Sequence, residues 1–192
     1  MSSQRIGKYA CLELERRYLL QRPPDGLLER GAGAAITDHY LEDTRLRLRH
    51  MRLASGEQVY KFAQKYQAAH QDETQTTITN LYLSEAEYQR LAQLGGKQLV
   101  KTRYRYTYQD REYGIDVFEG ELAGLVLAET ECASREEVQK LSKPDFALED
   151  VTADPFFKGG NLVNLTNQEL SAELERRIGS KMWGKQSNQR PA

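Results

Sequence analysis

Excess positive charge is missing from this chain: 27 Lys and Arg stand against 28 Asp and Glu, for a formal net charge of −1. A surface built to hold nucleic acid needs a basic excess, so no extended nucleic-acid footprint is expected. Cysteine is scarce. Cys11 and Cys132 make no disulfide framework and read as two reduced thiols of a cytoplasmic protein. The three histidines, His39, His50 and His70, fit no zinc spacing. No segment approaches the roughly 18 apolar residues of a membrane span, and residues 1–13 carry no apolar run of a secretory leader. The expectation is a soluble, cytoplasmic chain with no membrane partner.

What is present is alternation. Leu12, Leu14, Arg16, Tyr18 and Leu20 interleave with Glu13, Glu15, Arg17 and Leu19, the period of two that a strand requires. Further strands are predicted over 36–42, 45–53, 57–65, 74–83, 97–108, 111–118 and 125–132. Turn residues separate them, at 23–26, Asp43-Thr44, Ser55-Gly56 and Asp110. A polar loop is expected over 66–73. Ser84 with Glu87, and Ser134 with Glu137, have capping-box spacing and open helices over 85–94 and to about 141. An amphipathic helix is expected over 166–178. The chain thus reads as one domain, residues 1–178, with a polar tail over 179–192. Its class is α+β, mostly β. Eight antiparallel strands with tight turns close into a barrel because closure removes sheet edges, and a barrel of that size has room for one small ligand.

The polar faces of these strands are unusual. Glu13, Glu15 and Arg17 share one face of the first strand; Arg45, Arg47 and Arg49 share one face of the third; Lys61 and Lys65 share one face of the fourth. Lys101, Arg103 and Arg105 repeat the pattern on the sixth, Asp116 stands on the seventh, and Glu129 and Glu131 share a face of the eighth. Alternation alone does not say which face is inside. The opposite faces, however, are apolar or aromatic, which suits packing under helices. The charged faces would then point into the barrel, gathering nine cations and five carboxylates. Such a density is costly without a ligand. Cations at every second residue on neighbouring strands match successive phosphoryl groups, and paired carboxylates suit Mg²⁺ or Mn²⁺.

The ordered set of motifs resembles the CYTH superfamily, the triphosphate tunnel metalloenzymes. Glu13-Leu14-Glu15-Arg16-Arg17 is similar to its ExExK signature, Arg47-Leu48-Arg49 to its RxR strand, Lys61 through Lys65 to its basic strand, and Lys101-Thr102-Arg103 to its KxR strand. Residues 114–120 with Glu129-Thr130-Glu131 resemble its acidic close, and Val151-Thr152 with Asn161-Leu162 a C-terminal segment. The resemblance covers about residues 11–165. It implies an eight-stranded barrel forming an open tunnel, with peripheral helices, and a divalent-metal-dependent hydrolase of inorganic triphosphate, thiamine triphosphate or the 5′-triphosphate of RNA; with no obvious base-recognition element beyond scattered tyrosines, inorganic tripolyphosphate is the expected substrate. The implied metal ligands are Glu13, Glu15, Asp116, Glu129 and Glu131. The implied phosphate-binding cations are Arg47, Arg49, Lys65, Lys101 and Arg103; the other inward cations, Arg17, Arg45, Lys61 and Arg105, complete the candidate substrate-binding set. A Lys-Tyr pair that activates water would be Lys65 and Tyr40, the cations expected around the lysine favouring the neutral form that can accept a proton.

Two departures limit the implied chemistry. The signature lysine is Arg17, which binds phosphate but cannot serve as a base. The fifth strand carries Thr77, Ile78, Thr79 and Asn80 where many members have acids. A non-catalytic module that grips polyphosphate or a nucleoside triphosphate, and a nucleotidyl cyclase, therefore stand as alternatives. The partner in each case is a triphosphate-containing small molecule, and the chain is expected as a monomer or homodimer.

Overall fold

The structure, a computed structural model, describes residues 8–67 and 74–187, without the side chains of Arg30 and of 180–187. His70 and most of the expected 66–73 loop lie outside the described residues. The predicted strands are present as β1 (Cys11–Leu20), β2 (Ala34–Leu41), β3 (Leu46–Arg52), β4 (Gln58–Tyr66), β5 (Gln75–Leu83), β6 (Gly96–Tyr108), β7 (Arg111–Phe118) and β8 (Val126–Glu131). They pair antiparallel in the order β5-β4-β3-β2-β6-β7-β8-β1, and β1 also pairs with β5. That last pairing closes the barrel.

β1 makes the closure by dividing its length. Residues 11–14 pair with β5 and residues 15–20 with β8. Where β5 falls away, a two-residue strand β9 (Glu149–Asp150) takes its place beside Tyr18 and Leu19. The hairpins use the expected turn residues. Gln109 and Asp110 both have positive φ, 48° and 61°, as a two-residue type I′ turn demands. Gly56, at φ 88°, serves the β3–β4 turn.

None of the helices belongs to the barrel wall. They are α1 (Leu27–Arg30), α2 (Glu85–Leu91), α3 (Arg135–Lys140), α4 (Gly159–Leu162) and α5 (Asn167–Ser187). Ser84 and Glu87 form the full capping box that opens α2, which stops at Leu91 rather than 94. α5 runs on through much of the stretch read as a polar tail. Leu41, Leu48 and Tyr88 are buried together, with Tyr60, Phe62 and Leu83 packed against them, so α2 covers the outer face of β3 and β4. Tyr18, Tyr113, Ile115 and Ala128 form a second outer cluster, capped by Ala147 and Phe146. These are the faces opposite the charge rows, and their burial turns the rows inward. A third cluster fills one end of the barrel. There Leu99, Phe118 and Leu127 from β6, β7 and β8 meet Phe157 and Leu162 from the segment after β9, with Leu170 of α5 behind. That end of the interior is apolar rather than open.

Candidate functional site: a charge-lined cavity inside the barrel

The interior holds a cavity of about 1240 Å³. Of the residues expected at the site, Glu13, Glu15 and Arg17 line it from β1, Tyr40 from β2, and Lys61 and Lys65 from β4. Arg47 and Arg49 from β3 and Arg45 just before it, Lys101, Arg103 and Arg105 from β6, and Glu129 and Glu131 from β8 complete the wall. β5 contributes Thr76, Ile78 and Asn80, so its inward face carries no acid.

The carboxylates and cations are paired with each other. Arg17 donates from Nη2 to Glu15 at 2.7 Å and from Nε to Glu129 at 2.8 Å. Lys65 is bonded to Glu13 and stands 3.6 Å from Glu15. Arg103 is bonded to Glu129 and donates from Nε and Nη2 to Asp116, both at 2.6 Å. Lys101 reaches the same Asp116 at 2.5 Å. A single alternating chain therefore runs Glu13–Lys65–Glu15–Arg17–Glu129–Arg103–Asp116–Lys101 across β4, β1, β8, β6 and β7.

Burial and charge shift these groups in opposite directions. Burial pushes the Glu15 carboxyl up, and repulsion from Glu129 adds to it, against the pull of Arg17 and Lys65. Burial works the same way on Glu129, but Arg17 and Arg103 overcome it and hold Glu129 well below the usual carboxylate range. Burial lowers the Lys101 ammonium in spite of Asp116. It also works against the charged form of Arg17, where Glu129 and Glu15 outweigh it.

Three placements differ from the sequence reading. Asp116 is fully buried with both oxygens committed to Lys101 and Arg103, so it holds the β6 cations in place. Lys65 has acids, not cations, as its nearest charges. Its expected partner Tyr40 is elsewhere on the wall, opposite Arg47 in the β2–β3 register, and no hydrogen bond joins Lys65 to Tyr40 among the described residues. The Tyr40 hydroxyl instead lies against the backbone of Gly159, where an added Cβ would come within 2.0 Å of it.

The sequence reading also missed residues. Asp38 on β2 is 1% exposed and accepts from Arg49 Nε at 2.6 Å and Nη2 at 2.7 Å. Arg47 and Arg49 hold it below the usual range against the effect of burial. Its place on the same face as Tyr40 was the available signal. Thr152 and Lys158 also line the cavity, from a segment with no periodicity to reveal it. Thr152 accepts from the Arg17 backbone N–H at 2.9 Å.

The oxygen donors present fit a divalent ion in kind. Glu15 and Glu131 are directly opposite in the β1–β8 register, and the like-charge repulsion on Glu15 is what a cation would relieve. Among the described residues, however, no group of three or more Asp, Glu, His or Cys side chains is gathered to hold an ion. Glu13, Glu15, Asp116 and Glu129 are engaged by arginine and lysine instead.

No family model matches the chain. The chain is similar to the structure of the hypothetical protein NE1496, with TM-score 0.54 and 24% identity over 80% of this chain and 99% of that one. It is similarly close to the structure of the inorganic triphosphatase NE1496, with TM-score 0.52 and 24% identity over 79% of this chain and 93% of that one. An inorganic triphosphatase of Acetivibrio thermocellus is 40% identical over 63 residues, 33% of this chain and 39% of that protein. The chain thus spans about two-fifths of that relative's length. The closed barrel and the two structural likenesses bear out the eight-stranded fold that the resemblance implied. No helix among the described residues is long and apolar enough to cross a membrane.

Proposed function

We propose that the chain is a divalent-metal-dependent hydrolase that cleaves inorganic tripolyphosphate to pyrophosphate and phosphate. The inward cationic rows of β3, β4 and β6 carry this reading, because they converge on one cavity. The inorganic triphosphatases it resembles support it. Arg47, Arg49, Lys101 and Arg103 line the middle of that wall and would take the phosphoryl oxygens, while Arg17, Arg45, Lys61, Lys65 and Arg105 extend the cationic surface. Phosphoryl oxygens compete with carboxylates for the same donors. Binding therefore exchanges the partners of Arg17, Arg103 and Lys65 and frees Glu13, Glu15 and Glu129.

Those three acids and Glu131 are the residues to hold Mg²⁺ or Mn²⁺. When bound, such an ion neutralises charge on the phosphoryl oxygens and assists the leaving group. Lys65 is the residue to take the proton from the attacking water. Tyr40, which also lines the cavity, would orient the water. The test is phosphate release from tripolyphosphate and from ATP, with each metal and without. Turnover of tripolyphosphate should require the metal and fall by at least a hundredfold in Lys65→Ala, about the contribution of a positioned base. No turnover with either ion from neutral to alkaline pH would overturn the assignment.

One observation favours a second reading, a module that binds triphosphate without cleaving it. β5 brings no acid to the cavity, and Glu13, Glu15 and Glu129 are neutralised by Lys65, Arg17 and Arg103. Calorimetric binding of tripolyphosphate with no release of phosphate would select it.

A further inference from the structure

Asp38 lies outside every motif that suggested a triphosphate site, yet its geometry repeats that of Asp116. Each aspartate faces an arginine directly across a strand pair, Asp38 to Arg49 and Asp116 to Arg103. Each carboxylate grips the Nε and Nη2 donors of its arginine, at 2.6 and 2.7 Å for Arg49 and at 2.6 Å twice for Arg103. Two parallel bonds fix the plane of a guanidinium and leave its Nη1 edge for another acceptor. Asp38 also draws Arg47, whose Nε stands 3.4 Å from it and has no hydrogen-bond partner among the described residues.

We propose that Asp38 is a positioning residue of the anion site, holding Arg49, and with it Arg47, in the orientation that receives a phosphoryl group. The proposal rests on the triphosphate reading and extends it to a residue that touches the ligand only through these arginines. Two effects of Asp38 oppose each other. Its negative charge beside the cavity weakens anion binding. Its grip on Arg49 strengthens binding, because a long side chain already ordered loses less rotamer freedom when the ligand arrives. A counter-charge role and a positioning role therefore predict opposite signs for the removal of that charge.

The experiment is calorimetry of tripolyphosphate binding, without metal, to the wild type and to Asp38→Asn, with KM and kcat measured alongside. Loss of an ordered charge-assisted contact weakens binding about tenfold. The expected result is thus a Kd and KM raised about tenfold, with kcat changed less. In an Arg49→Lys background, where no two-bond grip exists, Asp38→Asn should change Kd less than about twofold, because the two positions act as a unit. Equal or tighter binding by folded Asp38→Asn overturns the proposal, as does an undiminished tenfold loss in the Arg49→Lys background. A wild type that binds no tripolyphosphate overturns the functional reading itself. If Asp38→Asn does not fold, the wild-type Arg49 Nε–H resonance decides. It should stay protected when tripolyphosphate is added, and loss of protection would show Arg49 leaving Asp38 to bind.

Discussion

Arg17 on β1 and Glu129 on β8 stand directly opposite each other in the antiparallel register and are joined Nε to Oε1 at 2.8 Å. The same guanidinium holds Glu15, so one cation separates two half-buried carboxylates that repel each other. Arg17→Ala removes it and leaves both acids uncompensated. Breaking a buried ion pair costs about 3–5 kcal/mol, and a loss of that size is expected in urea unfolding. Arg17→Lys keeps the charge but has no planar fork to serve both acids, so a smaller loss is expected. Equal losses for the two variants would show that charge alone, not bridging, stabilises the pair.

Two carboxyl shifts in the cavity contribute to the acid limit of the fold. Asp38 and Glu129 both lie below their unfolded range, held there by arginine against burial. A carboxyl with a lowered folded pKa stabilises the protein above its unfolded value, near 4, and that contribution is lost as pH falls through the folded value. Glu15, raised by burial and by Glu129, works the other way and is relieved by acid. Two lowered groups against one raised predict a net loss of stability below about pH 4. Measured by urea midpoints between neutral pH and pH 3, this acid limb should flatten in Glu129→Gln. A limb equally steep in that variant would place its source elsewhere.

Much of this architecture was legible because a strand's period is two. Once Leu46 and Leu48 were seen to alternate with Arg45, Arg47 and Arg49, burial of one face fixed the direction of the other, and α2 does bury the leucines. Asp38 was not legible in that way. It has no charged neighbour at the second residue along β2, and its partnership with Arg49 depends on the β2–β3 register, which alternation does not specify. The apolar end built from Phe157 and Leu162 comes from short turns with no repeat. The continuation of α5 to Ser187 lacks the apolar spacing by which its first turns were recognised.

Asp116 gives a test that separates an anchor from a metal ligand. It is fully buried and serves Lys101 and Arg103 at once. Asp116→Asn leaves two cations without their shared counter-charge, and a loss of about 3–5 kcal/mol is expected in metal-free protein. A metal ligand would behave differently, since its removal changes stability chiefly when the ion is present. Unfolding in chelator against unfolding in Mn²⁺ distinguishes the two. A loss seen only with Mn²⁺ would return Asp116 to the metal-binding set.

Gly159 tests where the Tyr40 hydroxyl sits. A Cβ at Gly159 would stand 2.0 Å from Tyr40 Oη and 3.0 Å from its Cζ, so the hydroxyl is the main obstacle. Alanine is otherwise favoured over glycine in a helix such as α4, which leaves the clash as the source of any loss. Overpacking of this kind costs about 1–3 kcal/mol, the expected destabilisation of Gly159→Ala in thermal unfolding. Removing the oxygen in Gly159→Ala/Tyr40→Phe should recover most of it, although Tyr40→Phe alone gains nothing of the kind. If Tyr40 also orients water, the double variant regains stability without regaining turnover. Recovery of both would show that the hydroxyl packs against the α4 backbone and takes no part in the chemistry.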